Sequence, residues 1–180
     1  MFCDGSRLGR CSRVNDLKQY IRDVPDFPII GILFRDIAPL LRDHFVEAID
    51  ALSALLSTEQ WSRVEAIAGI ESRGFILAAA LAERHRKGFV PIRKKGKLPP
   101  PVLHRTYDLE YAAGALEIQP GTGRLLIVDD VLATGGTLRA ASDLSTDAGY
   151  SVIALTALID LKLAGEFRWK ELDALSAITY

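Results

Sequence analysis

Two adjacent acids, Asp129 and Asp130, follow an apolar run and directly precede a stretch rich in glycine and threonine. The run Leu125–Val128 predicts a buried strand. In a loop of the composition that follows, successive backbone N–H groups can turn inward, and the N-terminus of a following helix adds partial positive charge. The glycines allow positive φ, and the threonine hydroxyls add hydrogen-bond donors. The sequence therefore predicts a phosphate-binding loop made by Ala133, Thr134, Gly135, Gly136 and Thr137.

The paired acids require an explanation of their own, because carboxylates repel phosphates. They could hold Mg²⁺ as in a nucleotide triphosphatase, but the sequence contains no G-x-x-x-x-G-K-[ST] loop. Alternatively, they could accept hydrogen bonds from the hydroxyls of a ribose whose 5′-phosphate lies in the loop. A third interpretation is a tight strand-to-helix turn with solvated acids. The residue types alone leave all three interpretations open.

The elements that must position this loop alternate along the chain. Apolar runs at 64–70, 89–92, 125–128 and 151–159 predict strands, and 175–180 predicts another. Helices are predicted at 14–20, 44–57, 75–83 and 137–148, and an ordered loop at 25–31. This alternation indicates the α/β class, with a central parallel sheet of about five strands flanked by helices. In such a sheet, ligands bind beyond the carboxyl ends of the strands.

A long connection, residues 93–124, separates the second and third predicted strands. Loops of this length are generally functional lids or disordered segments. The stretch from Thr106 to Tyr111 is too aromatic for a simple linker, so we predict a lid with a short hairpin that ends between Ala115 and Ile118.

Composition limits the classes of protein that fit. The chain has 180 residues, which predicts one domain, and its formal net charge of −1 argues against nucleic acid as a partner. No run approaches the ~18 apolar residues that a membrane span requires, so no membrane partner is expected. Cys3 and Cys11 make no zinc-binding pattern and predict free thiols in a cytoplasmic protein. Residues 1–13 lack an apolar signal segment and predict a disordered extension, with a transit peptide as the weaker alternative.

The string Val128 to Thr137 resembles the phosphoribosyl-pyrophosphate signature of the type I phosphoribosyltransferases, and its Leu-Ala-Thr-Gly-Gly-Thr version resembles the adenine-specific members. Gly31 to Asp36 resembles the family's base-binding loop, and Glu71 to Phe75 resembles its pyrophosphate loop. Arg93 to Pro99, with Tyr107 to Tyr111, resembles its basic segment and flexible lid. These matches cover most of 25–149.

The resemblance implies a role for each matching residue. It assigns the ribose hydroxyls to Asp129 and Asp130, and the 5′-phosphate to residues 133–137. Glu110 would handle a proton on the base, within a lid that includes Tyr107 and Tyr111. The pyrophosphate loop often has a cis peptide bond in the family, and here that bond would lie between Glu71 and Ser72. Base binding is assigned to Leu33, Phe34 and Arg35, and pyrophosphate binding to Glu71, Ser72, Arg73, Arg93, Lys94 and Lys97.

From the residues alone, Phe34 could equally be a core side chain, and the basic run from Arg93 could be a solvated face or a nucleic-acid patch. The resemblance implies that Arg93 reaches the neighbouring subunit's site.

The implied reaction joins adenine to 5-phosphoribosyl-1-pyrophosphate, giving AMP and pyrophosphate as in purine salvage. Mg²⁺ would be carried mainly by the pyrophosphate, and the protein would be a homodimer. The implied domain spans 14–180, with a hood and base-binding segment at 14–60 and a core at 61–180 that carries the lid, 93–118. The alternatives are a transferase for xanthine or hypoxanthine, or a regulator that senses phosphoribosyl pyrophosphate. The connector 119–124 is shorter than in the family, and Lys97 to Pro101 is unusually rich in proline.

Overall fold

The structure is a computed structural model that describes residues 14–109 and 112–180. The predicted N-terminal extension, Glu110 and Tyr111 lie outside the described residues, as does the side chain of Tyr107. The chain divides into two compact units, one ending at Ala51 and the other spanning Leu52–Tyr180.

The N-terminal unit contains a 3₁₀ helix, Val14–Tyr20, and a two-stranded antiparallel sheet. Its strands are β1 (Arg22–Pro25) and β2 (Leu33–Asp36), followed by α1 (Ala38–Asp43) and the start of α2 (Phe45–Ser53). Two ion pairs lie directly across this hairpin. Arg22 opposes Asp36 at 2.7 Å, and Asp23 opposes Arg35. The sequence had predicted only a loop at 25–31, which proves to be the turn of this hairpin.

The second unit is built on one sheet, in which eight strands lie within the described residues in the order β5-β6-β4-β3-β7-β8-β10-β9. Strands β4, β3, β7, β8 and β10 are parallel, which confirms the predicted parallel core. An antiparallel hairpin, β5–β6, extends one edge, and β9 forms the other. The strands are β3 (Ala66–Ile70), β4 (Gly88–Lys94), β5 (Leu103–Leu109), β6 (Ala112–Ile118), β7 (Arg124–Leu132), β8 (Ser151–Asp160), β9 (Arg168–Trp169) and β10 (Leu172–Thr179).

Burial explains why the middle strands read as continuous apolar runs. Ile67, Leu126 and Leu155 are fully buried in neighbouring strands, as expected for a parallel sheet covered on both faces. Helices α3 (Thr58–Arg63), α4 (Arg73–His85) and α5 (Gly136–Asp147) belong to this unit. None of the helices within the described residues is both long and apolar enough to cross a membrane.

The helix predicted at 44–57 is wrong in its extent, because α2 ends at Ser53 and α3 begins at Thr58. Ser57 starts the second helix: its side chain accepts the Gln60 N–H at 3.1 Å, and Gln60 Oε1 accepts the Ser57 N–H at 2.8 Å. This reciprocal capping box satisfies two backbone donors at a helix start.

Candidate active site

The carboxyl ends of β3, β4 and β7 meet at one edge of the sheet, since these strands are parallel neighbours. Strand β3 leads into Glu71 and Ser72, β4 ends at Lys94, and β7 leads into the Gly-rich loop. The structure therefore brings the predicted pyrophosphate, ribose and phosphate residues of this unit to the same edge. The peptide bond between Glu71 and Ser72 is cis.

Strand β7 runs four residues past the predicted end at Val128, so both acids belong to the strand itself. Asp129 and Asp130 are each only 8% exposed. Asp129 Oδ1 accepts the Asp130 N–H at 2.9 Å, and Asp130 forms an ion pair with Arg73. The N-terminus of α4 lies close against these acids. A Cβ added to Gly74 would stand 3.0 Å from the Val128 carbonyl oxygen and 3.4 Å from Asp129 Oδ1.

The electrostatics of Asp129 favour its neutral form. Burial, together with the charge of neighbouring Asp130, raises the pKa of Asp129 well above its usual range, against the lowering effect of the Asp130 N–H and Arg73. Added hydrogen-bond donors stabilise a carboxylate that is desolvated and lies beside a like charge. The hydroxyls of a sugar would supply such donors.

The Gly-rich loop turns into α5 through Gly135, which has a positive φ of +82° and caps the helix. The surroundings of Gly135 also exclude a side chain, because a Cβ at this position would overlap the ring of Phe167. The Gly135 carbonyl oxygen accepts the Arg139 N–H at 2.9 Å and so begins the helical ladder. The N–H groups of the first turn of α5 therefore stand at the end of β7, as a phosphate cradle requires. Ala133, Thr134, Gly136 and Thr137 surround this turn.

Glu71 contacts three of the basic residues that the family resemblance assigns to pyrophosphate. Its side chain, 7% exposed, accepts the Arg93 Nε–H at 3.2 Å and the Lys94 backbone N–H at 3.0 Å, and it forms an ion pair with Lys97. Burial by itself would raise the pKa of Glu71, but the hydrogen bonds from Lys97, Lys94 and Arg93 outweigh it and hold that pKa below the usual value. Two side-chain cations, those of Arg93 and Lys97, are therefore held beside the 71–73 loop.

Glu117 of β6 is a supporting residue that sequence reasoning missed. It is 2% exposed, and its carboxylate accepts three backbone N–H groups, those of Gly96, Lys97 and Leu98. Burial opposes its ionisation, yet these donors and the nearby charge of Arg93 keep the pKa of Glu117 below its ordinary value. Glu117 thus fixes the turn that carries Lys97. No local pattern could have revealed this, because the partners lie about twenty residues earlier.

The unusual segments around the predicted lid are held by specific contacts. Gln119 Nε2 donates to the Pro99 carbonyl oxygen at 3.1 Å, which anchors the proline-rich stretch. In the short connector, the Gly121 N–H donates to Ala148 O at 3.0 Å, and Gly123 O accepts the Ser151 N–H at 2.9 Å.

The predicted base-binding residues belong to the N-terminal unit. Phe34 is half-buried and packs edge-on against Phe27, with the ring centroids 5.1 Å apart. Arg35 pairs with Asp23 across the hairpin, and Leu33 is 47% exposed. Within the residues that the structure describes, no group of three or more His, Cys, Asp or Glu side chains could hold a metal ion.

Comparison with known proteins agrees with this geometry. A family model described as "Phosphoribosyl transferase domain" matches residues 40–176. The adenine phosphoribosyltransferase of Hydrogenovibrio crunogenus is 49% identical over 165 residues, covering 91% of this chain and 96% of that protein.

Among solved structures, adenine phosphoribosyltransferase from Rhodothermus marinus superposes with a TM-score of 0.84 at 40% identity, covering 94% of this chain and 99% of the other. The Saccharomyces cerevisiae enzyme, complexed with an imino-altritol bisphosphate and adenine, gives 0.78 at 36% identity, with 85% and 91% covered. The chain therefore belongs to the adenine phosphoribosyltransferase family.

Proposed function

We propose that this protein transfers the phosphoribosyl group of 5-phosphoribosyl-1-pyrophosphate to adenine, releasing AMP and pyrophosphate. The observation that carries the proposal is the buried pair Asp129–Asp130, which leads through Gly135 directly into the N-terminus of α5. Acceptors suited to ribose hydroxyls would then lie beside donors suited to a 5′-phosphate, which supports the proposal. The names of the relatives, and the adenine bound to the yeast enzyme, support the choice of base.

The substrate's phosphate ends would occupy two parts of the edge. We assign the 5′-phosphate to the backbone N–H groups and hydroxyls of 133–137. We assign the pyrophosphate to the 71–73 loop and to Arg93, Lys94 and Lys97. Glu71 holds the side chains of Arg93 and Lys97 and the backbone of Lys94 in place. Arg73 would join them, because a guanidinium binds phosphate oxygens with paired hydrogen bonds. Ser72 adds a hydroxyl donor.

Adenine would bind through the N-terminal unit, with the face of Phe34 stacked on the purine and the backbone of Leu33 and Arg35 reading its edge. Aromatic side chains bind bases by stacking. Glu110, in the segment Tyr107–Tyr111, is proposed to take the proton from the attacking ring nitrogen.

The reaction then balances without a covalent enzyme intermediate. The bond between C1 of the ribose and the pyrophosphate oxygen breaks, and a bond from C1 to the purine nitrogen forms. The proton on that nitrogen leaves to Glu110, and the electron pair of the broken bond leaves with pyrophosphate. Positive character builds on the sugar ring, so the protein contributes mainly positioning and electrostatic stabilisation. Exclusion of water protects the electrophilic sugar from hydrolysis.

Mg²⁺ is proposed to accompany the pyrophosphate. Asp129 and Asp130 offer the oxygen donors that this ion prefers, but Asp130 is already paired with Arg73. The ligands are therefore assigned mainly to substrate oxygens and water. A bound ion would neutralise charge on the departing group. Titrating Mg²⁺ into protein treated with a chelator, and measuring binding of phosphoribosyl pyrophosphate, tests this assignment.

A homodimer is proposed from an apolar patch formed by Phe75, Ile76 and Phe89. The Phe75 and Phe89 rings meet edge to face at 5.7 Å, while Ile76 and Phe89 remain 46% and 40% exposed. Arg93 lies against this patch, 5.8 Å from the Phe75 centroid, so a second copy covering the patch would come close to Arg93. Mixing inactive Arg93→Ala with inactive Asp130→Ala should restore part of the activity if sites are shared, and an active monomer in sedimentation would contradict the proposal.

A cytoplasmic location is proposed from cysteine usage, since the chain has only two cysteines and a reducing compartment keeps such thiols free. Fractionation of the source cells with marker enzymes tests it.

The function itself is tested with a panel of bases. Purified protein with phosphoribosyl pyrophosphate and Mg²⁺ should form AMP from adenine, and much less product from hypoxanthine or xanthine. A preference for either of those bases would make the protein a transferase for another purine. Binding of phosphoribosyl pyrophosphate without product from any base would instead indicate a sensing regulator.

A further inference from the structure

Arg105 of β5 joins the hairpin to the helix that begins at the phosphate cradle. Its guanidinium lies 3.2 Å from Asp143 Oδ2 and 2.7 Å from Asp147 Oδ2. These two acids are four residues apart on α5 and so lie on the same face of that helix. The planar guanidinium can bridge two carboxylates, which an ammonium group does less well.

The contact reaches the other edge of the sheet as well. Asp143 Oδ1 accepts the Nε1–H of Trp169 at 2.8 Å, and Trp169 is 4% exposed. Trp169 belongs to β9, whereas Arg105 belongs to β5, and these are the two edge strands of the sheet in the described residues. Asp143 therefore ties both edges of the sheet to α5.

The backbone pairing of the hairpin with the rest of the sheet is short. Strand β6 pairs with β4 at Arg93 and Lys94, and the Lys95 N–H adds a bond to Ala115 O at 3.0 Å. Arg105 lies opposite Leu116, near the end of that attachment and two residues before Tyr107. Beyond it, within the described ranges 14–109 and 112–180, the two strands pair only with each other.

We propose that Arg105 is a positioning residue for the transfer reaction. By bridging Asp143 and Asp147, it holds the hairpin in register with the helix whose first turn binds the 5′-phosphate. The inference rests on the proposed function, in which the segment that follows Arg105 acts on the base. Partly exposed ion pairs contribute little to stability, so the loss of Arg105 should affect the rate more than the melting temperature.

Charge reversal separates positioning from simple stability. Arg105→Glu places a third acid beside the two on α5, and Arg105→Gln removes the bridge without repulsion. Arg105→Glu combined with Asp147→Arg restores one opposite-charge pair and leaves the Trp169 bond to Asp143 intact. The matched control is Arg124→Glu, which breaks the exposed 3.1 Å pair between Arg124 and Glu65 at the start of β7.

We expect Arg105→Glu to lower kcat for AMP formation by about ten- to a hundredfold, because misplacement of about 1 Å can cost that much. The dissociation constant of ribose 5-phosphate should change less than about twofold, since the cradle is intact. Pyrophosphate release should exceed AMP formation, as water captures the sugar. Arg105→Gln should show a smaller loss, the charge-swapped double variant should regain most of the rate, and Arg124→Glu should match wild type.

The inference is overturned if Arg105→Glu and Arg105→Gln behave like Arg124→Glu. It is also overturned if their rates fall without recovery in the double variant, because the residue would then have only a structural role. A wild-type protein that forms no AMP would instead overturn the proposed function, so the two failures are distinguishable.

Discussion

Two buried carboxylates lie at one edge of the sheet, Glu71 and Asp129, and their pKa values are shifted in opposite directions. Glu71 is surrounded by donors from Lys97, Lys94 and Arg93, and its pKa is lowered. The pKa of Asp129 is raised, because burial and the charge of Asp130 outweigh the donors available to it. The chain's own donors hold the pKa of Glu71 down, whereas burial and the charge of Asp130 hold the pKa of Asp129 up. The difference separates an acid that holds neighbouring cations in place from an acid that we propose binds the substrate.

A third carboxylate, Glu110, gives the largest expected effect and extends the comparison to proton transfer. Glu110→Gln keeps the size of the side chain but cannot accept a proton. We expect the single-turnover rate to fall by about 10²–10⁴-fold, the usual range for general acid–base catalysis. Binding of phosphoribosyl pyrophosphate should remain close to wild type, as equilibrium titration can check. An unchanged chemical step would remove Glu110 from the mechanism.

Asp129→Asn tests whether Asp129 is the acid that binds the substrate. Loss of a charge-assisted acceptor for ribose should lower kcat/KM by about ten- to a hundredfold, and Asp130→Asn should do the same. Without ligand, however, Asp129→Asn should raise the melting temperature, because the raised pKa of Asp129 in the folded state costs stability at neutral pH that an amide does not cost. Steady-state kinetics and thermal unfolding of the same preparation check both effects. Wild-type kinetics, or a lower melting temperature, would contradict the comparison.

Glu71→Gln should behave in the opposite way. The substitution weakens contacts that the chain already makes, so the free energy of unfolding should fall by about 1.5–3 kcal/mol. KM for phosphoribosyl pyrophosphate should rise several-fold, because Arg93 and Lys97 lose their common anchor. Urea unfolding and steady-state kinetics measure the two effects. If Glu71→Gln were more stable than wild type, the two acids would not differ as described.

The smallest expected effect is in the pH dependence of stability. Folding raises the pKa of Asp129, so the folded state binds a proton at this group more readily than the unfolded state does. The contribution of Asp129 to the free energy of unfolding therefore increases as pH falls through the folded pKa toward the unfolded value of about 3.9. The pKa of Glu71 is lowered, so its contribution is full above about 4.3 and is lost as pH falls through the folded pKa. Wild type should therefore gain relative to Asp129→Asn on acidification and lose relative to Glu71→Gln. If the stability of wild type relative to each variant changed with pH in the same direction for both variants, these assignments would be contradicted.

Much of the site was predictable because its signals are local. The apolar run before Asp129 and the glycines after it lie within a dozen residues, and they predict the buried strand and the turn into a helix that the structure has. The parallel core followed from apolar strands alternating with helices. The capping box from Ser57 to Gln60 was also visible in the sequence, and its neglect led to one predicted helix where there are two.

The remaining features depend on contacts between distant parts of the chain. Glu117 resembles any strand residue until the fold places the 96–98 turn against it. The contacts of Arg105 and Trp169 could not be predicted, because they form only where the two edges of the sheet meet α5. The β1–β2 hairpin was missed because its strands are short, and the cross-strand pairs that stabilise it join residues more than ten positions apart.

The most direct test of the central claim compares the binding of AMP with that of 2′,3′-dideoxy-AMP. If Asp129 and Asp130 accept the ribose hydroxyls, wild type should bind AMP about ten- to a hundredfold more tightly, and the double variant Asp129→Asn with Asp130→Asn should lose most of that preference. Isothermal titration at constant salt measures all four dissociation constants. A preference for AMP that survives in the double variant would show that these acids do not hold the sugar.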